Sequence, residues 1–88
     1  MGTIKERQKH IEFTEIGLSD TGKTKVWAVK NISGPIEYII GEVKWNGPFR
    51  KYAYFPLKDT VYDWFCLAEI SQFLVVQTED HKSRKETR

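Results

Sequence analysis

Cysteine is almost missing from this chain: Cys66 is the only one. A single thiol excludes an intramolecular disulfide and every metal motif built on paired cysteines, and it fits a reducing compartment. Long apolar runs are missing too. None approaches the ~20 residues that a membrane-spanning helix needs, and the start of the chain is polar, unlike a secretory signal. These absences lead to the expectation of a cytoplasmic protein. Histidine occurs twice, as His10 at the border of one expected tail and His81 within the other, both poorly placed to act as a base. No His/Asp/Glu group has metal-ligand spacing, and no cofactor is expected. "GKT" at 22–24 lacks the earlier glycine and the following helix of a phosphate-binding loop, so it reads as a hairpin turn. No constellation of acid, base and nucleophile points to catalysis.

A strong charge of one sign is missing as well. The net charge is +2, and the excess lies at the ends. Lys5, Arg7 and Lys9 outnumber Glu6 in the first ten residues, and Lys82, Arg84, Lys85 and Arg88 outnumber Glu79, Asp80 and Glu86 in the last ten. Residues 11–78 are slightly acidic. Such ends steer a chain toward polyanions, or are simply solvated.

What is present is a series of short alternating segments. Eighty-eight residues with 40% hydrophobic and 14% aromatic side chains form one small globular domain. "HIEFTEIGLS" places Ile11, Phe13 and Glu15 on one side and Glu12, Thr14 and Ile16 on the other, the period of a strand. "DTGK" is a turn, and "KTKVWAVKN" is a second strand, with Trp27 and Val29 expected inward. "ISGP" is a further turn before a third strand, "IEYIIGEVKW", in which Gly41 marks a bulge or a close approach. "NGP" at 46–48 signals a two-residue hairpin turn, lengthened if Pro48 intrudes. "FRKYAYF" is the fourth strand, stopped by Pro56.

A helix follows. Leu67, Ile70, Phe73, Leu74 and Gln77 form an apolar stripe at helical spacing, with Asp63 as N-cap and Asp59 as rival. The expected fold is α+β: a four-stranded antiparallel meander with one C-terminal helix packed on one face. Residues 1–9 and 80–88 are expected to be flexible polar tails around a single domain at 10–79.

The densest stretch is "EVKWNGPFRKYAYFP", residues 42–56. With Val43, Ala53 and Phe55 turned to the helix, the open face would show Tyr38, Glu42, Lys44, Arg50, Tyr52 and Tyr54. Tyrosine rings stack on bases and Arg and Lys pair with phosphate. The same residue types are frequent at protein interfaces, and strand tyrosines also serve cross-strand packing alone. The face, with Ile40 added, would carry an apolar patch that a symmetric dimer would hide. The expected function is a small non-enzymatic binding module acting through this face on a protein partner or a second copy of itself. The alternative is a module that binds a nucleotide or single-stranded nucleic acid.

Gly41, Val43, Lys44, Trp45, Gly47, Phe49, Arg50, Tyr52, Tyr54, Phe55 and Pro56, followed by Leu67, Ile70, Phe73 and Leu74, carry a resemblance. Over residues 11–78 the chain resembles short proteins of bacteria, phages and mobile elements to which no activity is assigned. The resemblance implies a prokaryotic or viral origin and no reaction type. A mobile-element accessory or a modulator of host factors is the role it suggests.

Overall fold

Each alternating segment becomes a strand, and each Gly- or Pro-bearing break becomes a connection. The computed structural model of the chain describes residues 10–86. In order they form β1 (Ile11–Leu18), β2 (Lys25–Asn31), β3 (Tyr38–Asn46), β4 (Lys51–Pro56) and α1 (Trp64–Glu86). The strands pair antiparallel in the order β1-β2-β3-β4, and α1 lies across one face. This is the expected α+β architecture.

The first hairpin turns at Gly22, whose φ of 75° suits a residue without Cβ; its N–H donates to the Ser19 carbonyl at 2.9 Å. The hairpin between β3 and β4 departs from the two-residue Asn-Gly turn. Pro48 fixes a helical φ, and residues 47–50 form one tight turn. Asn46 Oδ1 accepts the Phe49 N–H at 2.9 Å, and the Asn46 carbonyl accepts the Arg50 N–H at 2.8 Å. The left-handed residue is Arg50, with φ 57°.

Gly41 sits at both a bulge and a close approach. The register runs from Val29↔Gly41 to Lys30↔Ile39, so one extra residue of β3 is accommodated there. The bulge inverts the sides of the residues before it. Ile40 is 4% exposed and in the core, whereas Ile39 is 48% exposed. A Cβ on Gly41 would collide with the Tyr54 ring and come within 2.7 Å of the Phe55 carbonyl oxygen.

The core joins Ile11, Trp27, Val29, Ile40, Val43 and Tyr52 from the sheet with Ile70 of α1. Trp27 and Val29 face inward, as expected. Phe73 stacks on Phe13 at 3.9 Å and meets Trp27 edge-on at 5.0 Å. Leu67, expected in the buried stripe, lies at its margin and is half-exposed.

Asp63 is the N-cap: its Oδ1 accepts the Cys66 N–H at 2.9 Å. Asp59 instead adopts a φ of 60° in the preceding turn. The helix does not end near residue 79. Residues 80–86, read from their charge as part of a tail, continue it. Lys, Glu and Arg are good helix formers, Asp80 pairs with Arg84 one turn on at 3.1 Å, and His81 packs on the Trp45 ring at 4.6 Å. The segment 1–9 lies outside the described residues, as do 87 and 88.

Two substitutions check this packing by chemical denaturation. Gly41→Ala is expected to lower stability by about 1–3 kcal/mol through overpacking against the Tyr54 ring. Tyr52→Ala is expected to lower it by about 3–5 kcal/mol, a large part of the ~5–15 kcal/mol that holds such a domain together.

Candidate functional site

Directly opposite residues of paired strands share a face, so the β3–β4 register decides the surface. Val43 pairs with Tyr54 and Trp45 with Tyr52, whereas Glu42 pairs with Phe55 and Lys44 with Ala53. Val43 is fully buried under α1. Tyr52 and Tyr54 therefore lie on the helix side, and Ala53 and Phe55 on the open side. This reverses the facing expected for β4.

The six expected site residues consequently do not form one surface. Glu42 and Lys44 are on the open face and pair at 3.7 Å. Lys44 Nζ also lies 4.7 Å over the Phe55 ring. Tyr38 starts β3 on the far side of the bulge and is exposed. Arg50 is in the exposed hairpin turn. Tyr52 is 5% exposed, between Trp27 and Trp45; its hydroxyl accepts the Lys25 N–H at 3.2 Å. Its own N–H donates to Thr78 Oγ1 at 3.0 Å.

Tyr54 belongs to a hydroxyl chain. The Tyr62 hydroxyl donates to the Ile40 carbonyl at 3.0 Å, so its oxygen accepts from Tyr54 at 2.5 Å. The Ile40 carbonyl also accepts the Leu57 N–H at 2.8 Å. The chain clasps the bulge to the segment leading into α1. Burial, and next the bond to Tyr62, push the Tyr54 phenol above the ordinary tyrosine range.

The open face is left with little to stack on. The register assigns it Thr14, Ala28, Lys30, Ile39, Glu42, Lys44, Lys51 and Ala53, with Phe55 as its aromatic ring. Its acids and bases are interspersed, and exposed pairs such as Glu42–Lys44 contribute well under about 1 kcal/mol.

The helix side carries the concavities. One helix cannot span four strands, and a groove remains on each flank of α1. The groove beside β4 has a volume of about 630 Å³ and is lined by Tyr52, Tyr54, Leu67, Ile70, Leu74 and Val75, with Lys51, Glu79 and Lys82 at its rim. The groove beside β1 has about 670 Å³ and is lined by Ile11, Phe13, Phe65, Ala68, Phe73 and Val76, with Glu12, Glu69 and Gln72. In the first, Leu67 is 51% exposed and Val75 54%; Trp64, the first residue of α1, is 77% exposed. The sequence signal for this stripe is helical phase. Positions 67, 71 and 75 run along one flank, offset from the inward 66, 70, 73 and 77, of which Ile70 is fully buried.

Cys66 stands at the third helical position, where a helix N-terminus lowers thiol pKa values. Here burial raises it, and the Asp63 carboxylate adds to the rise. The group is a thiol near neutral pH and a poor nucleophile. Neither histidine is loose: His10 meets Phe65 edge-on at 5.2 Å, and His81 packs on Trp45. Among the described residues no group of three His, Cys, Asp or Glu is placed to hold a metal ion, and no helix is long and apolar enough to cross a membrane.

The Tyr54 shift has a definite sign. A phenol whose folded pKa is raised contributes stability that is complete below the ordinary value of 10.0. That contribution is lost as pH rises from there toward the folded value. Wild type is therefore expected to lose stability as pH rises above about 10, and Tyr54→Phe to lose less of it, in denaturation curves across that range. An equal alkaline loss in both proteins would remove the buried hydroxyl chain as its cause.

Comparison of the chain with protein-family models, with curated proteins and with solved structures finds no match.

Proposed function

We propose that this chain is a non-enzymatic protein-interaction module that binds a partner segment in the groove between β4 and α1. The observation that carries this reading is the pair of exposed apolar side chains, Leu67 and Val75, that line that groove. Half-exposed large apolar side chains beside a concave apolar floor are the usual mark of an interaction site.

The groove also indicates the chemistry of its occupant. Its floor is apolar, and its rim carries Lys51 and Lys82 against Glu79. A segment with apolar side chains flanked by carboxylates complements it. The raised pKa of Cys66 and the engagement of both histidines in ring packing favour binding over catalysis. A bacterial or viral accessory role, suggested by the sequence resemblance, is compatible with a module of this kind.

The alternative reading, a nucleotide or single strand on the open face, keeps Lys30 and Lys44 but has Phe55 as its sole stacking ring there. Tyr52 and Tyr54, which first suggested it, face α1 instead. Salt separates the two modes, because phosphate contacts weaken steeply as counterions accumulate.

Selection from a displayed peptide library, with wild type and the Leu67→Glu/Val75→Glu variant as baits, tests the proposal. Both positions are exposed, so the variant should stay within about 0.5 kcal/mol of wild-type stability per site. Peptides carrying apolar residues with flanking acids are expected to be retained by wild type, at low and high salt, and not by the variant. Equal retention by both baits, or no enrichment, would overturn it.

A further inference from the structure

The other flank of α1 has a feature that the β4 flank lacks: an open sheet edge. The Ile32 N–H donates to the His10 carbonyl at 2.9 Å. With Ile11 opposite Asn31, the alternation of antiparallel ladders directs the N–H and C=O groups of Glu12 and Thr14 to β2. Those of Ile11, Phe13 and Glu15 face the free edge. The β4 edge is closed by comparison. Pro56 has no N–H, Thr78 Oγ1 takes the Tyr52 N–H, and α1 runs alongside. Residues 11–15 contain neither proline nor lysine, the usual guards of an edge strand. A bulge protects only the far end, between Glu15 and Gly17. Among the described residues, the buried side-chain polar atoms without a partner are His10 Nδ1 and Glu69 Oε1, and both lie on this flank.

We propose that two copies of the chain pair through this edge, β1 against β1, antiparallel about a two-fold axis at Phe13, joining their sheets into one and setting their β1-side grooves together over the seam. The register follows from the edge itself. A two-fold at Phe13 sets Phe13 opposite Phe13 of the second copy and Ile11 opposite Glu15. All three outward-facing residues then exchange hydrogen bonds. Glu12 falls opposite Thr14, so no glutamate faces a glutamate. A two-fold one residue earlier would set Glu12 against Glu12. One residue later would leave Ile11 opposite Gly17, past the bulge. Phe13, Phe65, Ala68 and Val76 of each copy then border one shared apolar layer. A domain of this size gains from such a layer, because alone it buries a smaller fraction of its surface than a larger domain does. The surface is independent of the β4 groove.

Light scattering reads the mass. Wild type is expected at twice the 10.3 kDa chain mass, and Glu15→Pro at one chain mass with an unchanged far-UV circular dichroism spectrum. That N–H has no partner within the sheet, so its loss spares the monomer. A monomeric wild type up to its solubility limit would overturn the proposal, as would a folded Glu15→Pro dimer. Should Glu15→Pro unfold, cross-linking decides in a Cys66→Ser background. Glu12→Cys mixed with Thr14→Cys is expected to form a covalent heterodimer on oxidation, because a non-hydrogen-bonded pair brings Cα atoms to about 4.5 Å. Neither variant alone should do so, its Cα atoms lying beyond the ~7 Å limit of a disulfide. Absence of the mixed cross-link would overturn the register and with it the seam.

Discussion

The ring of Tyr52 lies between those of Trp27 and Trp45, edge-on at 5.3 and 5.2 Å, while its backbone N–H reaches up to Thr78 of α1. Sheet and helix are thus joined at this residue by both ring packing and a backbone hydrogen bond. Its hydroxyl ties the start of β2, and its ring is approached by His81 at 6.1 Å. Burial of an aromatic ring of this size supplies several times the energy of any exposed ion pair in the molecule. The position of α1, and hence of the grooves on its two flanks, follows from that anchor.

A second constraint acts at the other end of β3. The bulge at Ile40 and Gly41 lets Ile40 enter the core while Ile39 stays outside. The bulge is held by the Leu57 N–H and the Tyr62 hydroxyl, which converge on one carbonyl oxygen. Tyr54 completes the clasp, and Gly41 leaves room for its ring. Tyr52 and Tyr54, the rings that looked most suited to gripping a ligand, are thus occupied in holding the two layers and the bulge together. In the proposed reading, recognition falls instead to side chains that the single helix leaves uncovered.

Much of this was legible beforehand. Period-two alternation located the strands, Gly22 and Asn46 their turns, Asp63 the helix start and Trp27 with Val29 the inward side of β2. The facing of β4 was legible too, by arithmetic rather than composition. Any hairpin loop with an even number of residues pairs Val43 with an even-numbered residue, and so turns Tyr52 and Tyr54 inward with it. Judging β4 from residue type, which favours Ala and Phe inside and Tyr with Arg outside, led to the opposite side. The helix end was hidden because residues 80–86 carry no apolar stripe. What extends them is His81 on Trp45, a tertiary contact that periodicity does not register.

The facing of Tyr52 tests this account most directly, and nuclear Overhauser effects from its ring protons report it. The account predicts cross-peaks to the rings of Trp27, Trp45 and His81. Cross-peaks to the side chains of Lys44 or Phe55 instead would place Tyr52 on the open face and contradict it.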